Sequence, residues 1–161
     1  MKIDAPFDQH RDTVRPEWID YNGHMNVAYY MLAFDQATDT FYNALGIGTD
    51  YKDGGHFSTF TLEAHITYDR EVMEGDPLRI TTQLLDFDAK RLHYFHQMYH
   101  AEKGYLASTN ELISMHIDMR ERRSAPMPQA LLDRLAQVKD AHSALPKPPQ
   151  VGRIIGIRRA R

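Results

Sequence analysis

Trp18-Ile19-Asp20-Tyr21-Asn22-Gly23-His24-Met25-Asn26, running without a break into Val27–Leu45, is the stretch that decides the fold. An acid, Asp20, sits beside a glycine turn, and the turn leads into a helix. Val27, Tyr30, Met31, Phe34, Phe41 and Leu45 recur at helical spacing and mark an apolar face. Tyr29, Leu32, Ala33 and Ala37 carry the apolar character around much of the remaining surface, the pattern of a helix enclosed by other chain. Gly46 stands just past the last periodic residue, where helices stop. The expectation is one long central helix wrapped by the rest of the chain.

The turn has a chemistry of its own. A helix start offers unpaired N–H groups and partial positive charge. A carboxylate beside it can attack a carbonyl, or activate water, while the amides hold the oxyanion. The same residues also suit an ordinary capping turn, so local chemistry leaves both readings open.

Beyond the helix the period changes to two. Phe60, Leu62, Ala64, Ile66 and Tyr68 alternate with Thr59, Thr61, Glu63, His65 and Thr67, a strand with one apolar and one polar face. Glu74-Gly75-Asp76-Pro77 reverses the chain, and strands follow over Leu78–Phe87, Arg91–Ala101 and Tyr105–Met119, joined by short turns. Arg11–Ile19 reads as a first strand preceded by a loosely held arm, Met1–Asp8, and Gly46–Gly55 reads as a loop. Short connections make an antiparallel meander, and a buried helix on such a sheet is an α+β domain. Leu131, Leu132, Leu135 and Val138 predict a short surface helix near the C-terminus. The expected organisation is one domain over 1–125, a helix over 126–145 and a basic flexible tail over 146–161.

Composition narrows the function. The net charge of −3 over 161 residues gives no electrostatic case for nucleic acid. Cys is absent, which removes disulfides, thiolate metal ligands and a Cys nucleophile. No apolar run is long enough to span a bilayer, and the expectation is a cytoplasmic protein. Of the nine His, His93, His96 and His100 share one strand, but His96 and His100 stand about 13 Å apart by strand rise. They are read as sheet-surface or interface residues, and no metal site is expected.

The motif Asp20-x-x-Gly23-His24-Met25-Asn26, followed by Tyr30, Phe34, Asp35 and Ala37, resembles the signature of hot-dog fold acyl-CoA thioesterases of the 4-hydroxybenzoyl-CoA thioesterase type. Ile66-Thr67-Tyr68 and then Glu74-Gly75-Asp76 look like that family's second strand and turn, so the resemblance spans residues 10–120. Two positions depart from it: Val27 replaces a second Asn, and Asp35 stands where Glu is usual. Val14–Asp39, with Ser124-Ala125-Pro126-Met127-Pro128, is similar to betainyl-CoA thioesterases of carnitine breakdown, found also as an added domain on L-carnitine dehydrogenases.

The resemblance implies a hot-dog fold and a homodimer or homotetramer with sites at the subunit boundary. It also implies hydrolysis of a small acyl-CoA, with no cofactor beyond the coenzyme A carried by the substrate. Asp20, with His24 and Asn26, is the expected catalytic group. A quaternary ammonium acyl group is held by aromatic faces and negative charge, which nominates Trp18, Tyr30, Phe34 and Phe60, with Glu63 and His65 on the neighbouring strand. Arg70, Lys90 and Arg91 at strand ends are candidates for the CoA phosphates. A non-catalytic acyl-thioester binding domain and a hot-dog dehydratase using His24 are the competing functions.

Overall fold

The residue that ends the turn also starts the helix. In a computed structural model that describes residues 3–159, Asn26 is the N-cap of α1 (Val27–Leu45), its side chain accepting from the Ala28 N–H at 3.0 Å. Gly46 closes the helix in the left-handed conformation at φ 75, and Arg134 donates to the Leu45 carbonyl beside it. The left-handed φ favours glycine there, and a Cβ at Gly46 would push the Arg134 guanidinium, 2.6 Å away, off the Leu45 carbonyl. Tyr30, Ala33, Phe34, Ala37, Thr38, Phe41, Tyr42 and Leu45 are buried. The helix is not enclosed all round, however. Val27, Met31 and Leu32 are exposed, because among the described residues no strand covers that side.

Five strands wrap α1: β1 (Phe7–Thr13), β2 (Phe57–Tyr68), β3 (Pro77–Phe87), β4 (Arg91–His100) and β5 (Leu106–Asp118). They pair antiparallel in the order β1-β3-β4-β5-β2, with a two-residue β6 (Arg123–Ser124) on β5. Their inner face meets the helix through Tyr94, His96, Asn110 and Ser114. A curled antiparallel sheet around one long helix is the hot-dog fold. Two boundaries differ from expectation. The first strand begins four residues earlier, since Phe7 packs at a tilt against Phe41 in the core, and Pro16–Trp18 forms a 3-10 turn instead of strand. Of the expected N-terminal arm, Met1 and Lys2 lie outside the described residues. Thr49–Gly54 forms a short helix, α2, where a loop was expected.

β2 is an edge strand, and its pairing with β5 shifts register between Thr61 and Glu63. That bulge inserts Leu62 and reverses the alternation. Ile66 and Tyr68 therefore face α1, whereas Phe60, opposite Met115, faces outward. Glu63 and His65 face outward too, opposite Ile113 and Glu111.

The last helix, α3 (Gln129–His142), buries Leu131, Leu135 and Val138 against Phe41, Leu45 and Leu84. His142 bridges two segments: Nδ1 accepts the Leu84 N–H and Nε2 donates to the Asp4 carbonyl. The chain beyond α3 crosses the outer face, where Pro148 is buried and the Gly152 N–H donates to Glu111 Oε2 at 2.7 Å. Ile154, Ile155 and Ile157 then stand exposed, and Arg161 lies outside the described residues.

His96 and His100 are fully buried, not on the sheet surface. Their positions in β4 alternate onto the inner face, under the helix and the β4–β5 turn. His96 is held between the Thr38 and Thr82 hydroxyls and stacks on Phe34. Burial pushes its pKa down to about 3. No helix among the described residues is long and apolar enough to cross a membrane.

Candidate active site

The Asp20 turn is tied at four points. The Asp20 N–H donates to His24 O, and the Gly23 N–H to Asp20 O, both at 3.0 Å. Asn26 N–H donates to Trp18 O at 2.9 Å, and Met25 N–H to Val72 O at 3.0 Å. Gly23, at φ 80, takes the left-handed position that the reversal needs. Asp20 Oδ1 accepts the Asn22 N–H at 2.8 Å, an Asx turn that fixes the carboxylate. Oδ2 faces His24 Nε2 at 3.7 Å, and the side chain keeps 14% of its surface in solvent.

His24 is held from its other side. Its Nδ1 lies 2.9 Å from Glu71 Oε2. A carboxylate can only accept, so Nδ1 carries the proton and Nε2 is turned toward Asp20. Glu71 was not among the residues singled out from sequence, and nothing local in the chain signals it. Next to this triad is the open start of α1. The Ala28 N–H is taken by Asn26, while the Val27 N–H has no acceptor among the described residues. A free N–H at a helix start beside a fixed carboxylate can hold an oxyanion while the acid acts.

The expected aromatic cage is not gathered here. Trp18 is buried, stacked on Tyr29 at 5.6 Å with the Arg15 guanidinium 4.8 Å from its ring centre. Phe34 is buried against His96. Tyr30 is buried as well, and desolvation raises its hydroxyl pKa to about 12. These three belong to the core because helical spacing turns Tyr30 and Phe34 onto the sheet and the 3-10 turn tucks Trp18 beneath Tyr29. The β2 bulge turns Phe60 to the outer face, away from Ile66 and Tyr68, and Glu63 and His65 lie on that outer face by ordinary alternation with Ile66 and Tyr68. There Arg122 covers Phe60, and Glu63 and His65 border the crossing tail at Gly152 and Arg153. The open aromatic at the helix start is one that sequence reasoning left out: Tyr68, 48% exposed, packs edge-on against Tyr30 and donates to the Val27 carbonyl at 3.3 Å.

The basic residues separate likewise. Arg70 is at the same end as Asp20: it lies over Tyr105 at 4.0 Å, and Tyr105 donates to the Glu71 carbonyl. Lys90 and Arg91 are at the opposite end, about 30 Å away along β4. Lys90 donates to Ser124, and Arg91 pairs with Asp88, holding that carboxyl at about 2.

Comparison with known proteins places this geometry. Residues 14–135 match the thioesterase-like superfamily. A betainyl-CoA thioesterase of Pseudomonas aeruginosa is 41% identical over 144 residues, covering 89% of this chain and 91% of that protein. An L-carnitine dehydrogenase/betainyl-CoA thioesterase of a Rhizobium species is 35% identical over 91% of this chain, which spans 29% of that longer protein. The solved structure of a hypothetical protein from Staphylococcus aureus in complex with CoA superposes with a TM-score of 0.89 at 34% identity, covering 98% of this chain and 99% of that one. By its wrapped helix, its acid-bearing turn and the span of these matches, the chain belongs to the thioesterase-like superfamily.

Proposed function

We propose that this protein hydrolyses betainyl-CoA to glycine betaine and CoA, with Asp20 as the reacting carboxylate. The observation that carries the reading is a fixed, partly open Asp20 beside the unclaimed Val27 N–H, in a chain 41% identical to a betainyl-CoA thioesterase. The thioester carbonyl sits against the Val27 N–H. Asp20 either adds to the carbonyl carbon or takes a proton from the water that does. In both routes charge passes to the carbonyl oxygen, the C–S bond then breaks, and CoA leaves as thiolate to be protonated by solvent. In the first route water afterwards cleaves the mixed anhydride. Glu71 and His24 hold the turn, and Asn26 fixes the helix start.

The assembly follows from the uncovered side. Leu62, 56% exposed, and Phe60 lie on an unpaired edge strand, an arrangement that proteins cover. A second copy paired antiparallel along β2 would continue the sheet and cover Val27 and Met31. It would also carry the partner copy's far sheet end, with its basic residues, toward this chain's helix start. Lys90 and Arg91 serve CoA phosphates in that arrangement only across the boundary, and Arg70 from within.

The test is thiol release from betainyl-CoA, butyryl-CoA and 3,3-dimethylbutyryl-CoA, the last an uncharged isostere. Betainyl-CoA is expected to give the highest specificity constant. Preference for the neutral esters would leave a general acyl-CoA thioesterase. Binding without thiol release would mean a binding domain, and an enoyl absorbance without thiol a dehydratase.

A further inference from the structure

The chain beyond α3 crosses the outer face strand by strand. Leu145 and Val151 lie beside Leu85 and Asp86 of β3. Gly152 is tied to Glu111 of β5. Arg153 and Ile154 then share a cleft of about 390 Å³ with Glu63 and His65 of β2. The direction is toward the edge of the sheet, because β2 pairs with β5 alone among the described residues. At that rim the chain still has Ile155, Gly156, Ile157, Arg158 and Arg159 to run. Ile154 and Ile155 are 87% exposed and Ile157 86%, so their own chain leaves them uncovered. A cluster of exposed apolar side chains marks an interaction surface.

We propose that Ile154–Arg159 is an arm that crosses the β2 boundary and clasps a second copy of this chain. The proposal rests on the pairing along β2 given above and adds a contact outside the sheet hydrogen bonds. Full-length antiparallel pairing of Phe57–Tyr68 with its copy sets Phe57 against Tyr68, and so His65 against the partner's Phe60. Phe60 faces outward and is 40% exposed. An arm leaving past His65 therefore meets an open aromatic ring on the other copy.

Reach and charge agree with this. Six extended residues span about 20 Å, and strands lie about 4.8 Å apart, so the arm covers about four strands. Ile155 and Ile157 fall on one side of an extended segment, where they pack on the partner's Phe60 and on the partner's Met115 behind it. Residues 141–161 contain no acid, and Arg158 and Arg159 follow the isoleucines. Exposed Glu63 stands beside Phe60 on the receiving face and attracts them. Two-fold symmetry makes the contact twice, one arm from each copy.

The chain has no cysteine, so introduced ones report alone. Ile157→Cys and Glu63→Cys are combined in the full chain and treated with a bis-maleimide. A denaturing gel should show a band of two linked chains, and adding Leu62→Lys, which breaks the edge, should remove it. A link within one chain only, no link, or a two-chain band that survives Leu62→Lys would overturn the proposal. A second variant, Ile155→Ser with Ile157→Ser, needs no cysteine. It should raise the dimer dissociation constant, measured by sedimentation, at least about tenfold, given two isoleucines returned to water. An unchanged constant overturns the arm alone, whereas a wild type that sediments as one chain overturns the arm and the pairing together. The substrate reading is measured separately, by thiol release, and can fail without either.

Discussion

His24 and Glu71, far apart in the chain, meet at 2.9 Å through Nδ1 and Oε2 and fasten the Asp20 turn to the segment after β2. The turn is thus braced from outside as well as tied within itself. Replacing Glu71 by Ala frees the imidazole to rotate. The expected result is a fall in kcat of about tenfold to a hundredfold, the usual cost of lost positioning, with little change in melting temperature. Unchanged turnover in Glu71→Ala would show that the brace is irrelevant to catalysis.

Asp20→Asn keeps shape and hydrogen bonding but removes the base and nucleophile. Turnover should fall by at least about a hundredfold with the fold intact. Asn26→Ala should act differently, costing about 1 kcal/mol of stability through the lost N-cap and less of the turnover. Near-normal hydrolysis by Asp20→Asn would sink the mechanism.

His96 makes stability depend on pH. Its folded pKa is about 3, below the ordinary value of 6.5. The unfolded chain therefore binds more protons between those values, and stability present above pH 6.5 is lost as the pH falls toward 3. The loss from His96 alone is about 2 kcal/mol between pH 6.5 and 5. Burial lowers the pKa of His142 and His116 too, and each adds in the same direction. Urea unfolding at pH 7 and 5 measures the slope, and equal stability at the two values would contradict it.

Leu62→Lys puts a charge on the open edge of β2. Light scattering should show the mass dropping to that of one chain, with activity lost alongside. A fully active wild-type monomer at working concentration would rule out the shared-boundary site.

The helix was legible because its signals are local: Asn26 at one end, Gly46 at the other, and an apolar period between them. The leucines of α3 were legible for the same reason. The β2 bulge was not, since one inserted residue leaves the alternation looking regular while it exchanges the two faces. That placed Phe60 on the face of Ile66 and Tyr68 by count, whereas the fold turns it outward. Spacing alone likewise showed that His96 and His100 share a face, but not which face. Asp20 was found from its motif, whereas Glu71 reaches the site only through chain folding, from a position far along the sequence.

Trp18 is the one tryptophan of the chain, and its carbonyl accepts the Asn26 N–H. Its indole is packed against Tyr29 and Arg15, two residues from Asp20. The protein thus contains a single tryptophan, selectively excitable above the tyrosine absorption, in the wall of its reacting turn. Its emission should be blue-shifted in the native state and move to the red when the turn opens. Occupancy of the site can then be followed optically, without a label, during a single turnover.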